Sequence, residues 1–236
     1  MTPLAQSLRL CVIQHHPLET PGYVLNWAQA RGMQVRVLHA WETNYAGNLD
    51  EFDAVILLGG PYSVQDASSL LWLAQEISWL KSCVAVGVPI FGICLGAQIL
   101  AHCLGAQVEA MAAQGSELTA ELGWVKVKFL QQLATSVEVR PLLQWHQDSF
   151  QIPLGAKRLA HSVLGHCNQG FKIAERRLMG VQFHPEWSAA TLATLIDGLA
   201  DAETAVELRA ALGQTALFEQ QQALCAALLD FWLQRD

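Results

Sequence analysis

The stretch FGICLGAQ at residues 91–98 constrains the possible folds of this chain more than any other segment. Its core is Gly-x-Cys-x-Gly, the thiol form of the Gly-x-Ser-x-Gly nucleophile elbow, in which a strand turns sharply into a helix and directs one side chain outward. The apolar run at residues 84–91 predicts a buried parallel strand before the turn, and residues 95–104 predict a helix packed against it. Cys94 then lies at the helix start, where unpaired amides and the helix dipole favour a thiolate.

A lone apolar cysteine is usually a buried core residue. In this chain glycines flank Cys94 at both i−2 and i+2, as the sharp turn requires. We therefore interpret Cys94 as a candidate nucleophile whose thiol faces the surface and contributes little to packing.

The composition indicates a compact folded protein of 236 residues, with 52% apolar and 15% charged residues. The net charge of −7, without a basic cluster, argues against nucleic acid or an anionic membrane as the main partner. Six cysteines are scattered without a C-x-x-C pair, a pattern that favours free thiols in a reducing compartment over disulfides or a zinc site. We therefore expect neither a metal nor another cofactor.

Residues 82–108 contain no Asp, Glu, Lys or Arg, and by hydropathy alone they resemble a membrane span. Several glycines and Pro89 interrupt this stretch and no polybasic flank sets an orientation, so we reject a membrane span. Residues 1–7 lack the charged region and long apolar core of a secretory signal. The expected location is the cytoplasm.

Strand and helix patterns alternate before the cysteine elbow. In chain order they are a strand at 8–14, a helix at 22–30, strands at 33–39 and 54–58, and a helix at 68–81. This alternation predicts an α/β fold with a flavodoxin-like, doubly wound, mostly parallel sheet. The ligand crevice of such a sheet lies beyond the carboxyl ends of its strands, where Gly59, Gly60 and Cys94 fall.

Shorter β-like segments follow Gly105, and we expect them to be later strands and an antiparallel edge of the same domain. They lie at 124–129, 151–152, 157–162, 171–174 and 180–183. Residues 188–236 form a predicted helical extension, whose apolar stripes we interpret as core-packing faces and not as docking faces for a partner. No repeat or linker is apparent, so we predict a single domain over residues 1–236 with a motif-bearing core at about 8–187.

A thiol nucleophile needs a base, and the base needs an orienting group. The segment GVQFHPE at residues 180–186 offers both, because His184 closes an apolar strand and Glu186 follows two residues later. An extended chain returns side chains at i and i+2 to the same side. A carboxylate in that position fixes the imidazole tautomer and stabilises the imidazolium.

Four segments appear in the order seen in class I glutamine amidotransferases, which the chain resembles between about residues 53 and 187. They are GGP at 59–61, FGICLGAQ at 91–98, WHQD at 145–148 and GVQFHPE at 180–186. The chain looks most like the free-standing branch similar to the glutaminase domain of GMP synthase. It departs from many members at Gln147, where a glycine is expected.

The resemblance implies a triad of Cys94, His184 and Glu186. Cys94 would attack the side-chain amide carbon of glutamine, and His184 would pass a proton to the departing ammonia. Water activated by His184 would then release glutamate from the γ-glutamyl thioester.

The resemblance also implies residues that bind the substrate and its oxyanion. The backbone amides of Gly60 and Leu95 are expected to hold the oxyanion. Gln98 is expected to contact substrate, and His146 and Asp148 to hold the substrate ammonium or shape the pocket. The segment ELGW at 121–124 is interpreted as a structural approach to the pocket, and His15 and His16 as surface loop residues.

Three readings of the function stay open. The first is a glutaminase that supplies ammonia to a separate acceptor, a synthetase subunit. The second is a stand-alone hydrolase of γ-glutamyl peptides or conjugates. The third is a protein without turnover, either a silent regulatory or binding homologue or a redox-sensing thiol protein with a related elbow fold. The presence of Cys94, His184 and Glu186 together argues against both of these alternatives.

Overall fold

The computed structural model describes residues 7–45, 51–111, 120–130, 138–164 and 167–234. The strands in these ranges are listed in chain order. They are β1 Arg9–Gln14, β2 Gln34–His39, β3 Ala54–Leu57, β4 Ile90–Ile93, β5 Val108–Ala110, β6 Glu121–Phe129, β7 Val139–His146, β8 Asp148–Phe150, β9 Lys157–Ser162, β10 Asn168–Ile173 and β11 Leu178–Val181.

The α-helices of the described residues separate the parallel strands and then form the C-terminal part. They are α1 Tyr23–Ala30, α2 Leu71–Val86, α3 Leu95–Cys103, α4 Ala189–Leu199, α5 Ala202–Leu212 and α6 Thr215–Leu233. Short 3-10 turns at Val64–Ser68 and Ala174–Arg176 complete the order. Among the described helices, none combines the length and apolarity that crossing a membrane requires.

The described strands form a nine-stranded mixed sheet in the order β2-β1-β3-β4-β11-β10-β9-β6-β7, and β5 pairs with β8 in a separate two-stranded sheet. The pairings from β2 through to β11 are parallel. Those from β11 to β7 are antiparallel. The predicted α/β architecture is confirmed, and the parallel half places the ends of β1, β3, β4 and β11 at one edge of the sheet.

Side chains of the parallel strands alternate between two apolar layers, because successive residues of a strand point to opposite faces. On β1, Leu10 and Val12 pack with α1 and α6 on one face, and Cys11 and Ile13 pack with α2 and α3 on the other. The interior strands are buried on both faces, as parallel strands usually are. Helices α4 and α5 bury their apolar residues in a third cluster that includes Trp187.

The predicted strand at residues 84–91 is confirmed only at residues 90 and 91, because β4 begins at Ile90. Helix α2 continues to Val86 and ends at Gly87, which has φ 82° and donates its amide to the carbonyl of Val84. Glycine after the last helical residue and proline two residues later are common signals for a helix end. The apolar run therefore contains the last turn of α2 and only then β4, and hydrophobicity alone does not separate the two.

Other differences concern the short strands. Residues 151–152 are not a strand, and β7 and β8 were not predicted. The WHQD segment spans the end of β7 and the start of β8 and is not an open loop. The C-terminal stripes are confirmed as core-packing faces, because Leu192, Leu195, Leu224 and Leu228 are buried.

Helix α6 is anchored beneath the elbow strand by its last turn. Trp232 is fully buried, its indole Nε1 donates to the carbonyl of Arg177 at 2.7 Å, and its ring lies 5.6 Å from that of Phe91 on β4. Lys172 on β10 donates from Nζ to the carbonyl of Phe231 at 3.0 Å. The C-terminal helix therefore completes the core on one face of the sheet.

We predict that Trp232→Ala lowers the free energy of unfolding by about 3–5 kcal/mol, because the change removes a large buried ring and leaves a cavity. The measurement is the chemical denaturation midpoint. Val206→Ala is the control, since Val206 is 71% exposed and truncating it should change stability by less than about 0.5 kcal/mol. Equal midpoints for the two variants would show that α6 is not an essential part of the core.

Candidate active site

The cysteine elbow joins β4 to α3 through a strained backbone. Cys94 has φ 50° and ψ −111°, a conformation that residues other than glycine rarely adopt. Its amide donates to the carbonyl of Val181 at 2.8 Å. A Cβ on Gly96 would lie 2.4 Å from the carbonyl oxygen of Leu57, so a glycine is required for α3 to approach β3 this closely.

The thiol of Cys94 is buried, contrary to the expectation that it faces the surface. The residue is 6% exposed and contributes to the apolar core. Its Sγ lies 3.6 Å from Nε2 of Gln182 and 3.9 Å from the carbonyl oxygen of Trp145. The sulfur therefore lies between a carbonyl group of β7 and the side chain of the residue that follows β11.

His184 and Glu186 are paired in the loop that follows β11. The imidazole Nδ1 lies 2.9 Å from Oε1 of Glu186, and both side chains are buried. The amide of His184 donates to the carbonyl of Leu143 at 2.9 Å, which ties this loop to β7. The Trp187 ring stacks on the imidazole, with 3.4 Å between centroids and 13° between planes. The imidazole is therefore fixed in both position and tilt.

The electrostatic surroundings of His184 favour its charged form. Burial alone would lower the pKa of His184, but Glu186 and the neighbouring Cys94 raise it from 6.5 to about 10. Gly59 lies between the two groups, since a Cβ there would be 2.8 Å from Cε1 of His184 and 3.6 Å from Cβ of Cys94. A substituent at this glycine would occupy the space beside the thiol and the imidazole.

A cavity of about 380 Å³, which we call the elbow cavity, opens above Cys94. It is lined by Gly60, Pro61, Tyr62, Ser63, Asp66, Cys94, Leu95, Gln98, Trp145, His146, Gln147 and Asp148. The lining includes two carboxylates and, among the described residues that form it, no lysine or arginine. This charge balance suits a ligand that carries an ammonium group.

Gly60 and Leu95, the expected oxyanion-binding residues, lie together in this lining. A Cβ on Gly60 would be 2.9 Å from Cδ2 of Leu95. Among the described residues, no backbone carbonyl accepts a hydrogen bond from the amide of Gly60 or of Leu95.

Gln98 lies one turn after Cys94 on α3 and is buried. Its Nε2 donates to the carbonyl of Asp148 at 3.1 Å and to Oε1 of Gln182 at 3.3 Å. The amide nitrogen is therefore used within the protein. The group that Gln98 can offer to a ligand is its Oε1, which accepts hydrogen bonds.

His146 and Asp148 belong to a network at the wall of the elbow cavity. The imidazole of His146 lies 2.9 Å from the carbonyl oxygen of Asp148 through Nδ1 and 3.0 Å from Oε2 of Glu121 through Nε2. Gln169 donates to the same Glu121 oxygen at 2.6 Å. Ser63 donates to Oδ2 of Asp148 at 2.6 Å. Glu121, at the start of β6, therefore supports the cavity wall from behind.

Comparison with known proteins identifies the family. A model of class I glutamine amidotransferases matches residues 24–196. The chain belongs to the class I glutamine amidotransferase family. This confirms the resemblance drawn from the four sequence segments.

Two related amidotransferase proteins are glutamine-hydrolyzing GMP synthases. The one from Ehrlichia ruminantium strain Gardel is 32% identical over 136 residues, which cover 57% of this chain and 25% of that protein. The one from Wolbachia pipientis wMel is 32% identical over 173 residues, which cover 69% of this chain and 31% of that protein. The chain thus spans less than a third of either synthase.

A crystal structure of a glutamine amidotransferase from Thermotoga maritima resembles the whole fold. The TM-score is 0.84 with 25% sequence identity, and the alignment covers 97% of this chain and 100% of the other. The C-terminal helices, in which no family motif was found, therefore lie within the part of the chain that aligns with this amidotransferase structure. The predicted fold class is confirmed.

The prediction that His15 is a surface loop residue is wrong. The histidine is fully buried at the carboxyl end of β1, not on a surface loop. Its Nε2 lies 2.9 Å from Oε1 of Glu76 on α2, which is also fully buried. The signal for its location was its place directly after a buried strand, the same argument that located Gly59 and Cys94.

Glu19 is a second buried group near the elbow that was not predicted from the sequence. It is 7% exposed, its Oε2 has no hydrogen-bond partner among the described residues, and a Cβ on Gly59 would lie 2.5 Å from that oxygen. Burial is the main cause that raises the pKa of Glu19 from 4.5 to about 7; the charge of Glu186 acts in the same direction, and His184 and His15 oppose the shift. No local pattern marks the burial of one glutamate in the sequence HHPLETPG.

No group of three His, Cys, Asp or Glu side chains among the described residues is arranged to hold a metal ion. The candidate site contains a thiol, an imidazole and carboxylates. These groups suit acyl transfer.

We predict that Glu19→Gln makes the protein more stable at pH 8 by about 1–3 kcal/mol. With its pKa raised from 4.5 to about 7 on folding, the folded chain binds more protons than the unfolded chain between these values. Stability therefore falls as the pH rises through this window, and the glutamine variant avoids the loss. The measurement is chemical denaturation at pH 4.5 and pH 8.

Glu207→Gln is the matched control, because Glu207 is exposed on α5. It should leave the difference in stability between the two pH values unchanged. A Glu19→Gln variant that follows the wild-type curve at both pH values would show that Glu19 is not held in the environment described.

Proposed function

We propose that this protein hydrolyses the side-chain amide of glutamine and releases ammonia, with Cys94 as nucleophile, His184 as proton carrier and Glu186 as the group that orients His184. The observation that carries the proposal is the buried His184–Glu186 pair beside the thiol of Cys94, which itself lines the elbow cavity. Membership of the class I glutamine amidotransferase family supports it independently.

In the first half of the reaction the sulfur of Cys94 attacks the amide carbon of glutamine. The carbon–sulfur bond forms as the carbonyl electrons move to the oxygen. When the tetrahedral intermediate collapses, the carbon–nitrogen bond breaks and imidazolium of His184 gives its proton to the departing ammonia. The raised pKa of His184 keeps that proton available.

In the second half a water molecule attacks the γ-glutamyl thioester. His184, now neutral, takes a proton from the water as the carbon–oxygen bond forms. The carbon–sulfur bond then breaks, glutamate leaves, and the charged thiolate and imidazolium are restored. One glutamine and one water give one glutamate and one ammonia.

The oxyanion in both halves needs preorganised donors. We assign these donors to the backbone amides of Gly60 and Leu95, two residues that line the elbow cavity and whose amides donate to no backbone carbonyl of the described residues. Loss of one such donor typically costs about 10²–10³ in kcat.

Substrate recognition is assigned to the acidic wall of the elbow cavity. Asp148 and Asp66 attract the substrate ammonium, and Oε1 of Gln98 accepts a hydrogen bond from it. His146 shapes this wall and does not touch the ammonium, since both of its ring nitrogens already face protein oxygens.

We predict that Cys94→Ala abolishes release of glutamate from L-glutamine, because no other group can form the thioester. The measurement is glutamate release by purified protein, with folding checked by the thermal midpoint. The midpoint needs its own check because Cys94 is buried, so truncation removes some packing.

Cys103→Ala is the matched control, since Cys103 lies on the same helix α3 and outside the elbow cavity. Burial raises the pKa of its thiol to about 12, so it is a poor nucleophile at neutral pH. The control should retain turnover. Near-normal turnover by Cys94→Ala would contradict the assignment of the nucleophile.

We predict faster glutamate release from L-glutamine than from a γ-glutamyl dipeptide. The reason is that a γ-glutamyl dipeptide carries an additional carboxylate, and the described lining of the elbow cavity contains Asp66 and Asp148 but no lysine or arginine to pair with it. The measurement is kcat/KM for both substrates. Preference for the dipeptide would instead identify a stand-alone γ-glutamyl hydrolase.

Turnover of glutamine would make a separate ammonia-accepting synthetase subunit the expected partner. The related proteins are named glutamine-hydrolyzing GMP synthases, and this name links glutamine hydrolysis to a synthesis in those proteins. Absence of turnover on both substrates would indicate a silent homologue and contradict the proposed function.

A further inference from the structure

His15 is held between two sets of acceptor oxygens at the carboxyl edge of the sheet. Its Nδ1 lies 3.0 Å from the carbonyl oxygen of Leu58 and 3.2 Å from that of Gly59, and its Nε2 lies 2.9 Å from Oε1 of Glu76. Carbonyl oxygens only accept hydrogen bonds. Nδ1 therefore carries a hydrogen and donates it to the turn after β3.

Glu76 favours the form of the His15 imidazole that carries a hydrogen on Nδ1. The carboxylate is fully buried on α2 and accepts from Nε2, so both ring nitrogens can carry hydrogens at once. Charge attraction from Glu76 raises the pKa of His15, against the effect of burial. A buried ion pair contributes little net stability, because removing two charges from water is costly. Its presence beside the elbow cavity therefore calls for a role other than stability.

The contact with Gly59 determines the direction of the next amide. The described chain contains no cis peptide bond, and in a trans peptide the carbonyl and the following N–H point in opposite directions. Since the Gly59 carbonyl is directed at the buried His15, the N–H of Gly60 points away from it. Gly60 itself lines the elbow cavity, together with Cys94 and Leu95.

We propose that the buried His15–Glu76 pair is a positioning device that holds the Gly59–Gly60 peptide with its N–H directed into the elbow cavity, so that the oxyanion donor of Gly60 is in place before substrate binds. This inference rests on the proposed function, because the oxyanion is the one formed from glutamine. His15 and Glu76 are positioning residues and touch no reacting atom.

The alternative orientation of this peptide would be harmful to the reaction. If the peptide were reversed, the Gly59 carbonyl oxygen would face the elbow cavity and repel a developing oxyanion. Glycines at 59 and 60 place few steric limits on such a reversal. The hydrogen bond from His15 supplies the restraint that the backbone itself lacks.

Two double variants isolate this hydrogen bond. Both carry Glu76→Gln, which removes the buried charge, and they differ only in His15→Leu against His15→Asn. Leucine and asparagine have the same branched shape, but the asparagine side chain can place an N–H near the position of Nδ1. His102→Gln, at an exposed histidine of α3, is the control for changing a histidine elsewhere.

The leucine variant should lose about 10²-fold in kcat on L-glutamine, with KM changed by less than about threefold. The asparagine variant should recover to within about tenfold of the wild type. The rate of Cys94 alkylation by iodoacetamide should be equal in all of them, since the thiol is not altered. Equal kcat in the two double variants, or alkylation that falls in parallel with kcat, would overturn the proposal.

A crystallographic readout separates this inference from the proposed function. The Gly59 carbonyl should point at residue 15 in the wild type and the asparagine variant and be reversed in the leucine variant. A wild type that turns over neither glutamine nor a γ-glutamyl dipeptide would contradict the proposed function, and the peptide orientation would still decide the role of His15. The same orientation of the Gly59 carbonyl in both double variants, or a wild-type Gly59 carbonyl directed into the elbow cavity, would refute the positioning role of His15.

Discussion

The site depends on the close contact between α3 and the parallel strands on either side of β4. The Cys94 amide donates to Val181 on one side, and Gly96 approaches the Leu57 carbonyl on the other. Both contacts hold Cys94 at its positive φ, since a residue released from them would relax to a more favourable backbone conformation. The direction of the sulfur thus follows from the packing of the sheet.

Around this elbow the molecule tolerates an unusual number of buried charged groups. His184 with Glu186, His15 with Glu76, and Glu19, whose Oε2 has no hydrogen-bond partner among the described residues, all lie near the carboxyl edge of the sheet. Each burial reduces stability unless it is compensated by a partner. In a low-dielectric site the same groups act more strongly on one another and on a bound substrate. Stability and reactivity therefore oppose each other at this edge, and the apolar layers on both faces supply the compensation.

Much of the fold was accessible from local patterns. The strands before the elbow, helices α1 and α3 and the apolar stripes of the C-terminal helices follow from periodicity and from turn residues. The boundary between α2 and β4 was not predicted, because an apolar helix end and a buried strand look alike in composition. Strands β7 and β8 were not predicted: β7 is the edge strand beside β6, and β8 has three residues, too few for alternation to indicate a strand.

The sequence by itself determined the family, the elbow with its cysteine and the neighbouring His184 and Glu186, since these signals are carried by residues close together in the chain. Only the tertiary structure decided that Cys94 is buried, that Glu19 lies beside Gly59, and that His15 meets Glu76 across 61 positions. The physical reason is that sheet pairing and helix packing set these distances. Local periodicity does not indicate which side chains distant in sequence will come into contact.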